Sequence, residues 1–164
     1  MRDAAIAARR AGVKVALTLS DPFCVARFRD EFRELVDQHV DILFANEVEI
    51  LSLYQVEHFD DALQQVRAHA EIAALTRSEK GSVIVNGPEV HVIDAVPGIT
   101  VLDTTGAGDA YAGGFLYAFT QGHDLATCGR LGGALAAHVI SQIGARPTGS
   151  LEDVAARVLA SSLR

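Results

Sequence analysis

The chain has 164 residues, 49% of them hydrophobic, which at this length suffices to bury the core of one globular domain and excludes a disordered segment. Fourteen Lys and Arg against 21 Asp and Glu leave a net charge of −7, so duplex nucleic acid and anionic membrane surfaces are repelled. Cys24 and Cys128 stand far apart without CxxC spacing, which excludes a disulfide framework and a zinc site and leaves small buried apolar side chains as their expected role.

The opening segment MRDAAIAARRAGVKVALTLS carries charges and no unbroken apolar run, so no signal peptide or membrane span is expected and a soluble cytoplasmic protein is the simple reading. Residues 2–10, rich in Ala and Arg, read as a helix that stops at Gly12 before a strand over 13–19. Asp21-Pro22 reads as a turn after that strand. A second apolar run over 40–45 ends at Asn46, after which Val48, Ile50, Leu51 and Leu53 fall on one helical face. An amphipathic stretch over 59–70 leads into a short strand over 72–76. Three such alternations of helix and strand predict an α/β fold, a parallel sheet covered by helices on both faces, because parallel neighbours need crossover connections. Residues 82–85 and 90–96 flank Asn86-Gly87-Pro88 and predict an antiparallel hairpin at the sheet's edge. Beyond it lie the glycine-rich DTTGAGDAYAGG, a helix to about Phe119, a second over 125–141, the loop IGARPTGS and a last helix from about Leu151. No repeat, linker or low-complexity tract interrupts what is expected to be a single domain over residues 1–164.

DTTGAGDAYAGGFLYA, from Asp103 to Ala118, carries the strongest chemistry. Gly106, Ala107 and Gly108 are small enough for close approach of a ligand, and they open a helix whose first amides lack intrahelical partners, a setting suited to phosphate. Asp109 in the first turn has two readings: a general base for an attacking hydroxyl, or a carboxylate that merely complements the helix dipole. Asn46 and Glu49, spaced i, i+3 at a strand end, face the edge where α/β proteins bind ligands, and the same pair also makes a capping box without any ligand.

DTTGAGDAYAGGFLYA resembles the second signature of the PfkB, or ribokinase-type, carbohydrate-kinase family at nearly every position, and the resemblance extends over essentially the whole chain. The resemblance implies a ribokinase-like three-layer α/β/α fold, Asp109 as catalytic base, and the Gly106, Ala107 and Gly108 amides as the anion hole for the transferred phosphoryl group of ATP. In the family's order of motifs FANEVEI supplies Asn46 and Glu49, which there organise magnesium and phosphate through water. TRSEKGSVIV resembles the nucleotide loop Thr-x-Gly-x-x-Gly, with Thr76 and Gly81 in place and Ser78 where the first glycine is usual; Lys80 reads as a solvated turn lysine or a phosphate contact. LGGALAAHVISQIGARP resembles the helix and loop over the adenine, with Gly132 and Ala136 as its nucleotide-side residues. A K+ site there would draw on Asp103, Thr105, Val139, Gln142 and Gly144, largely through carbonyl oxygens. Arg130 and Arg146 are further phosphate candidates, and His138 is expected to be a packed or surface residue.

The segments LTLSDPFCVARFR, DILFANEVEI and CGRLGGALAAHVISQIGARP resemble the bacterial adenosine-kinase branch, which implies transfer to the hydroxymethyl group of a nucleoside. A sugar kinase of the same family and a non-catalytic nucleotide-binding fragment stand as alternatives. The resemblance reaches only the later part of the family pattern, so the N-terminal strands, the β lid and the Gly-Gly signature are expected to lie outside this chain. An exposed sheet edge, covered by that missing portion or by a homodimer partner, is the structural expectation.

Overall fold

The computed structural model describes residues 1–161. The fold gathers into two compact units: Met1–Arg77 with Val83–Val90, and Ser78–Ser82 with the chain from His91 onward.

The first unit runs α1 (Arg2–Arg10), β1 (Ala16–Thr18), α2 (Pro22–Arg27), α3 (Arg29–Gln38), β2 (Ile42–Asn46), α4 (Glu47–Tyr54), α5 (Phe59–His69) and β3 (Ile72–Thr76). With β4 (Ser82–Asn86) and β5 (Glu89–Ile93) the strands form one open sheet in the order β1-β2-β3-β4-β5. The pairs β1-β2 and β2-β3 are parallel, with Ala16 opposite Ile42, Ile42 opposite Ile72 and Asn46 opposite Thr76. Residues 42–45 and 72–75 are buried at every position, as in parallel strands covered on both faces. Leu43, Ala45, Ala73 and Leu75 enter a core with Leu19, Val25, Ile50, Leu53 and Val66. Only the two residues Gly87 and Pro88 separate β4 from β5, which makes that pair an antiparallel hairpin with β5 at the edge, as the turn cluster predicts.

Three sequence expectations need correction. β1 is shorter than the apolar run over 13–19, because Val13 is exposed and the Val15 amide donates to Asp41 Oδ2 at 2.6 Å, so the ladder begins only at Ala16. Asp21-Pro22 is a helix start rather than a turn: extended Asp21 caps α2, accepting from the Phe23 and Cys24 amides at 2.7 and 3.1 Å, with Pro22 at the first helical position. Cys24 is exposed on that short helix, whereas Cys128 is buried as expected.

In the second unit α6 (Ala107–Thr120) and α7 (Leu125–Ile140) pack together, followed by α8 (Leu151–Ser161). The two long helices approach closely through glycines: a Cβ on Gly132 would lie 2.8 Å from the Tyr111 carbonyl, and one on Gly114 3.0 Å from that of Leu131. Phe115, Cys128 and Leu131 are fully buried, and Tyr111, Phe115 and Phe119 stack along α6. The Tyr111 hydroxyl donates to Ser82 Oγ at 2.9 Å, and burial pushes the phenol up to about 12. Asp124 caps α7, and its bonds from Thr127 hold its carboxyl below the usual range. Among the described residues no helix is long and apolar enough to cross a membrane.

Candidate active site

In the first unit Asn46 and Thr76 end neighbouring parallel strands in register, so both stand at the carboxyl edge of the sheet, where open α/β sheets bind ligands. Asn46 and Glu49 form the full capping box: the Glu49 amide donates to Asn46 Oδ1 at 2.8 Å, and the Asn46 amide and Nδ2 donate to Glu49 Oε2 and Oε1 at 2.9 and 2.7 Å. Both of the roles read from the sequence are therefore open to the pair. Glu49 is only 5% exposed. Burial raises its pKa, the Asn46 amide bond opposes that, and the negative charge of Asp21 adds to it.

No group of three or more His, Cys, Asp or Glu side chains able to hold a metal lies among the described residues. The donor set still fits a hydrated magnesium ion, which keeps most of its waters and takes one or two carboxylates plus phosphate oxygens. Each Glu49 oxygen accepts one bond from Asn46 and retains a lone pair, and a divalent cation nearby would offset both its burial and the charge of Asp21.

In the second unit residues 78–80 form a single 3-10 turn, closed by the Gly81 amide on the Ser78 carbonyl at 3.1 Å. Ser78 and Gly81 are both left-handed, with φ of 53° and 80°. The place where Ser78 replaces the family's usual glycine thus demands a conformation that glycine adopts most easily. A Cβ at Gly81 would lie 2.0 Å from the Ile93 carbonyl, so no other residue fits there. Lys80 is exposed on the same turn.

Gly106 caps α6 in the left-handed conformation, with φ of 80°, and a Cβ there would meet that of Ala145 at 2.9 Å. The Ala107 amide donates back to the Thr104 carbonyl at 3.1 Å. The Gly106 and Gly108 amides make no such turn bond among the described residues, and a Cβ on Gly108 would meet nothing within 4 Å. Asp109, in the first turn, is exposed at this helix mouth rather than turned into the interior. A helix N-terminus of 14 residues, an open face and an exposed carboxylate thus coincide within four residues.

Asp103 ties the loop before this helix to the loop after α7: its carboxylate accepts from the Thr105 amide and the Gly144 amide, each at 2.9 Å. The Thr105 bonds foremost, and that of Gly144, hold its carboxyl below the usual range. Gln142 is engaged within its own loop, donating to the Arg146 carbonyl at 3.1 Å and accepting from the Thr148 amide and hydroxyl. The Val139 carbonyl accepts from the Gln142 amide at 3.3 Å. The structure thus brings Asp103, Thr105 and Gly144 together through the Asp103 carboxylate and gives Val139 and Gln142 local partners.

Gly132 is buried against α6, Ala136 is half-buried, and Arg130 donates to Thr127 Oγ1 at 2.7 Å on its own helix. Arg146 is exposed, and His138 Nε2 lies 3.0 Å from the Thr148 carbonyl. Sequence reasoning missed an apolar groove in this unit lined by Val96, Ile99, Ala134, Ala137 and Val154, with Arg157 of α8 at its side. Its residues come from three separate segments, and no local spacing announces that. Also missed was Arg77, next to Thr76, whose Nη2 donates to Glu47 Oε1 at 3.0 Å.

The sequence pattern of the pfkB family carbohydrate kinases matches residues 1–152. Among solved structures, the chain is similar to an adenosine kinase from Sinorhizobium meliloti, with 48% identity and a TM-score of 0.92 over 95% of this chain and 48% of that one. It is equally similar to a probable sugar kinase from Rhizobium etli, with 47% identity and a TM-score of 0.91 over 99% of this chain and 48% of that one. A cytidine kinase of Thermococcus kodakarensis is 37% identical over 119 residues, which are 71% of this chain and 42% of that protein. The chain therefore spans less than half the length of these relatives. With the family pattern running over nearly its whole length, this chain belongs to the pfkB carbohydrate-kinase family.

Proposed function

We propose that the chain carries the phosphate-handling part of an ATP-dependent phosphotransferase that acts on the hydroxymethyl group of a nucleoside, adenosine or a close relative. The observation that carries this reading is the exposed Asp109 in the first turn of α6, beside the Gly106 and Gly108 amides. In the proposed step the Asp109 carboxylate takes the proton from the acceptor hydroxyl while its oxygen attacks the terminal phosphorus of ATP. The bond from that phosphorus to the bridging oxygen breaks, and ADP leaves with the electron pair. Amides at a helix N-terminus stabilise charge on the oxygens in flight, and phosphoryl transfer depends on such positioning more than on covalent help. Gly106 and Gly108 are the open donors, and Ala107 joins them if its bond to Thr104 yields. Within the first unit, Asn46 and Glu49 would hold a hydrated magnesium ion through water at the edge where Thr76 also ends, and such an ion would supply charge screening for phosphate oxygens.

Nucleoside as acceptor is supported by the 48% identity to the Sinorhizobium meliloti adenosine kinase. The sugar-kinase reading has comparable support from the 47% identity to the Rhizobium etli protein, so phosphorylation of adenosine, cytidine, ribose and fructose must be compared directly. The mechanism is tested with Asp109→Asn in a full-length protein bearing this chain. Turnover is expected to fall by roughly 10²- to 10⁴-fold, the usual worth of a general base, while ATP binding persists. Unchanged turnover would remove Asp109 from the role of base.

A further inference from the structure

We propose that Arg77 is a positioning residue for the Asn46-Glu49 turn and acts on it through Glu47, an inference that rests on the phosphotransferase reading above. Asn46 and Thr76 are register partners at the ends of β2 and β3, so the next residue on each segment, Glu47 and Arg77, leaves the sheet side by side. The Arg77 guanidinium is fixed twice there: Nη2 donates to Glu47 Oε1 at 3.0 Å, and its carbon sits 3.9 Å from the centre of the Phe59 ring. Both members of the ion pair are about three-quarters withdrawn from solvent, at 24% and 27% side-chain exposure, and the buried Arg77 Nε has no hydrogen-bond partner among the described residues. An arginine whose guanidinium is both stacked on an aromatic face and paired with a carboxylate is held in one orientation.

Its target is the first turn of α4. Glu47 is the first residue of that helix and Glu49 the third, so two carboxylates share one turn, and Asp21 adds a third negative charge that bears on Glu49. Arg77 neutralises the one carboxylate of the turn that the capping box does not hold and anchors it to the end of β3. The capping box then fixes Asn46 and Glu49 relative to the same anchor. Partners that orient ligating groups from behind in this way govern metal affinity although they never touch the ion.

The experiment is titration of ATP binding with magnesium by calorimetry, run on the full-length protein bearing this chain, as wild type and as Arg77→Met, Glu47→Gln and the double variant, with parallel titrations of ATP in EDTA. Methionine keeps the packing over Phe59 and removes the charge, and Glu47→Gln removes the ion pair from the other side if Arg77→Met does not fold. Each single variant is expected to raise the magnesium concentration at half-saturation by roughly tenfold, with ATP binding in EDTA unchanged and the double variant no worse than either single one. An unchanged magnesium requirement in both single variants overturns the role of Arg77 while leaving the phosphotransferase reading intact. A loss in Arg77→Met that Glu47→Gln does not reproduce overturns the route through Glu47. Wild-type ATP binding that ignores magnesium overturns the magnesium reading of Asn46 and Glu49 and the role of Arg77 with it.

Discussion

Glu49 is a carboxyl group almost withdrawn from water, and its stabilisation depends on which protonation state the fold accepts. Burial lifts its pKa above the ordinary 4.5, so the folded chain holds that proton more tightly than the unfolded chain does. The contribution is therefore fully present below the unfolded value and is lost as pH rises through the folded one. Denaturant unfolding in EDTA at a series of pH values should show wild type losing more stability than Glu49→Gln as pH rises from about 4 to 7, with added magnesium recovering part of the difference at pH 7. Parallel curves for the two proteins would show that Glu49 titrates as it would in the unfolded chain. The spacing of Asn46 and Glu49 was legible as both a capping box and a ligand pair, and the geometry contains the first without closing off the second. What no spacing reveals is the burial that perturbs Glu49, because it arises from elements distant in sequence, among them α2 with Asp21.

At the level of elements, the readable helices and strands were those whose pattern is local. The strand over 72–76 and the helices beginning at Ala107 and Leu125 stand within a residue or so of where the sequence places them. α2 escaped although its signal was present, since Asp21-Pro22 is as good a helix start as it is a turn, and the residues after it decide which. The Gly-Gly pair on α7 shows the same limit, because the sequence does not show which of the two glycines packs against α6. Gly132 faces the Tyr111 carbonyl at 2.8 Å from any added Cβ, whereas Gly133 meets nothing within 4 Å. Gly132→Ala should therefore destabilise the protein by about 1–3 kcal/mol through overpacking. Gly133→Ala should stabilise it by about 0.5–1 kcal/mol by the gain in helix propensity. Thermal unfolding of the two variants decides the matter, and shifts of the same sign would mean that α6 and α7 do not meet through Gly132.

For the molecule as a whole, the informative feature is the sheet's β1 edge. β1 pairs with β2 on one side and stands at the end of the strand order, with Ala16 and Thr18 exposed and a groove beside it lined by Ala4, Ala8, Val15, Leu17 and Val40. Backbone donors and acceptors beside apolar surface form a template for another strand, and nothing in β1 itself blunts it: the three residues are Ala, Leu and Thr, without charge, proline or bulge. A net charge of −7 opposes association only weakly at physiological salt, where repulsion is screened within about 8 Å, while backbone pairing acts at contact. The 164-residue chain on its own should therefore associate as its concentration rises from about 1 to 100 μM, the range in which unpaired edges become hazardous. Thr18→Lys, a charge on the exposed edge, should shift sedimentation velocity profiles back toward monomer while leaving the unfolding temperature within a degree or two, since Thr18 is an exposed position. A chain that sediments as monomer throughout, or a Thr18→Lys variant that associates like wild type, would mean that β1 offers no pairing surface.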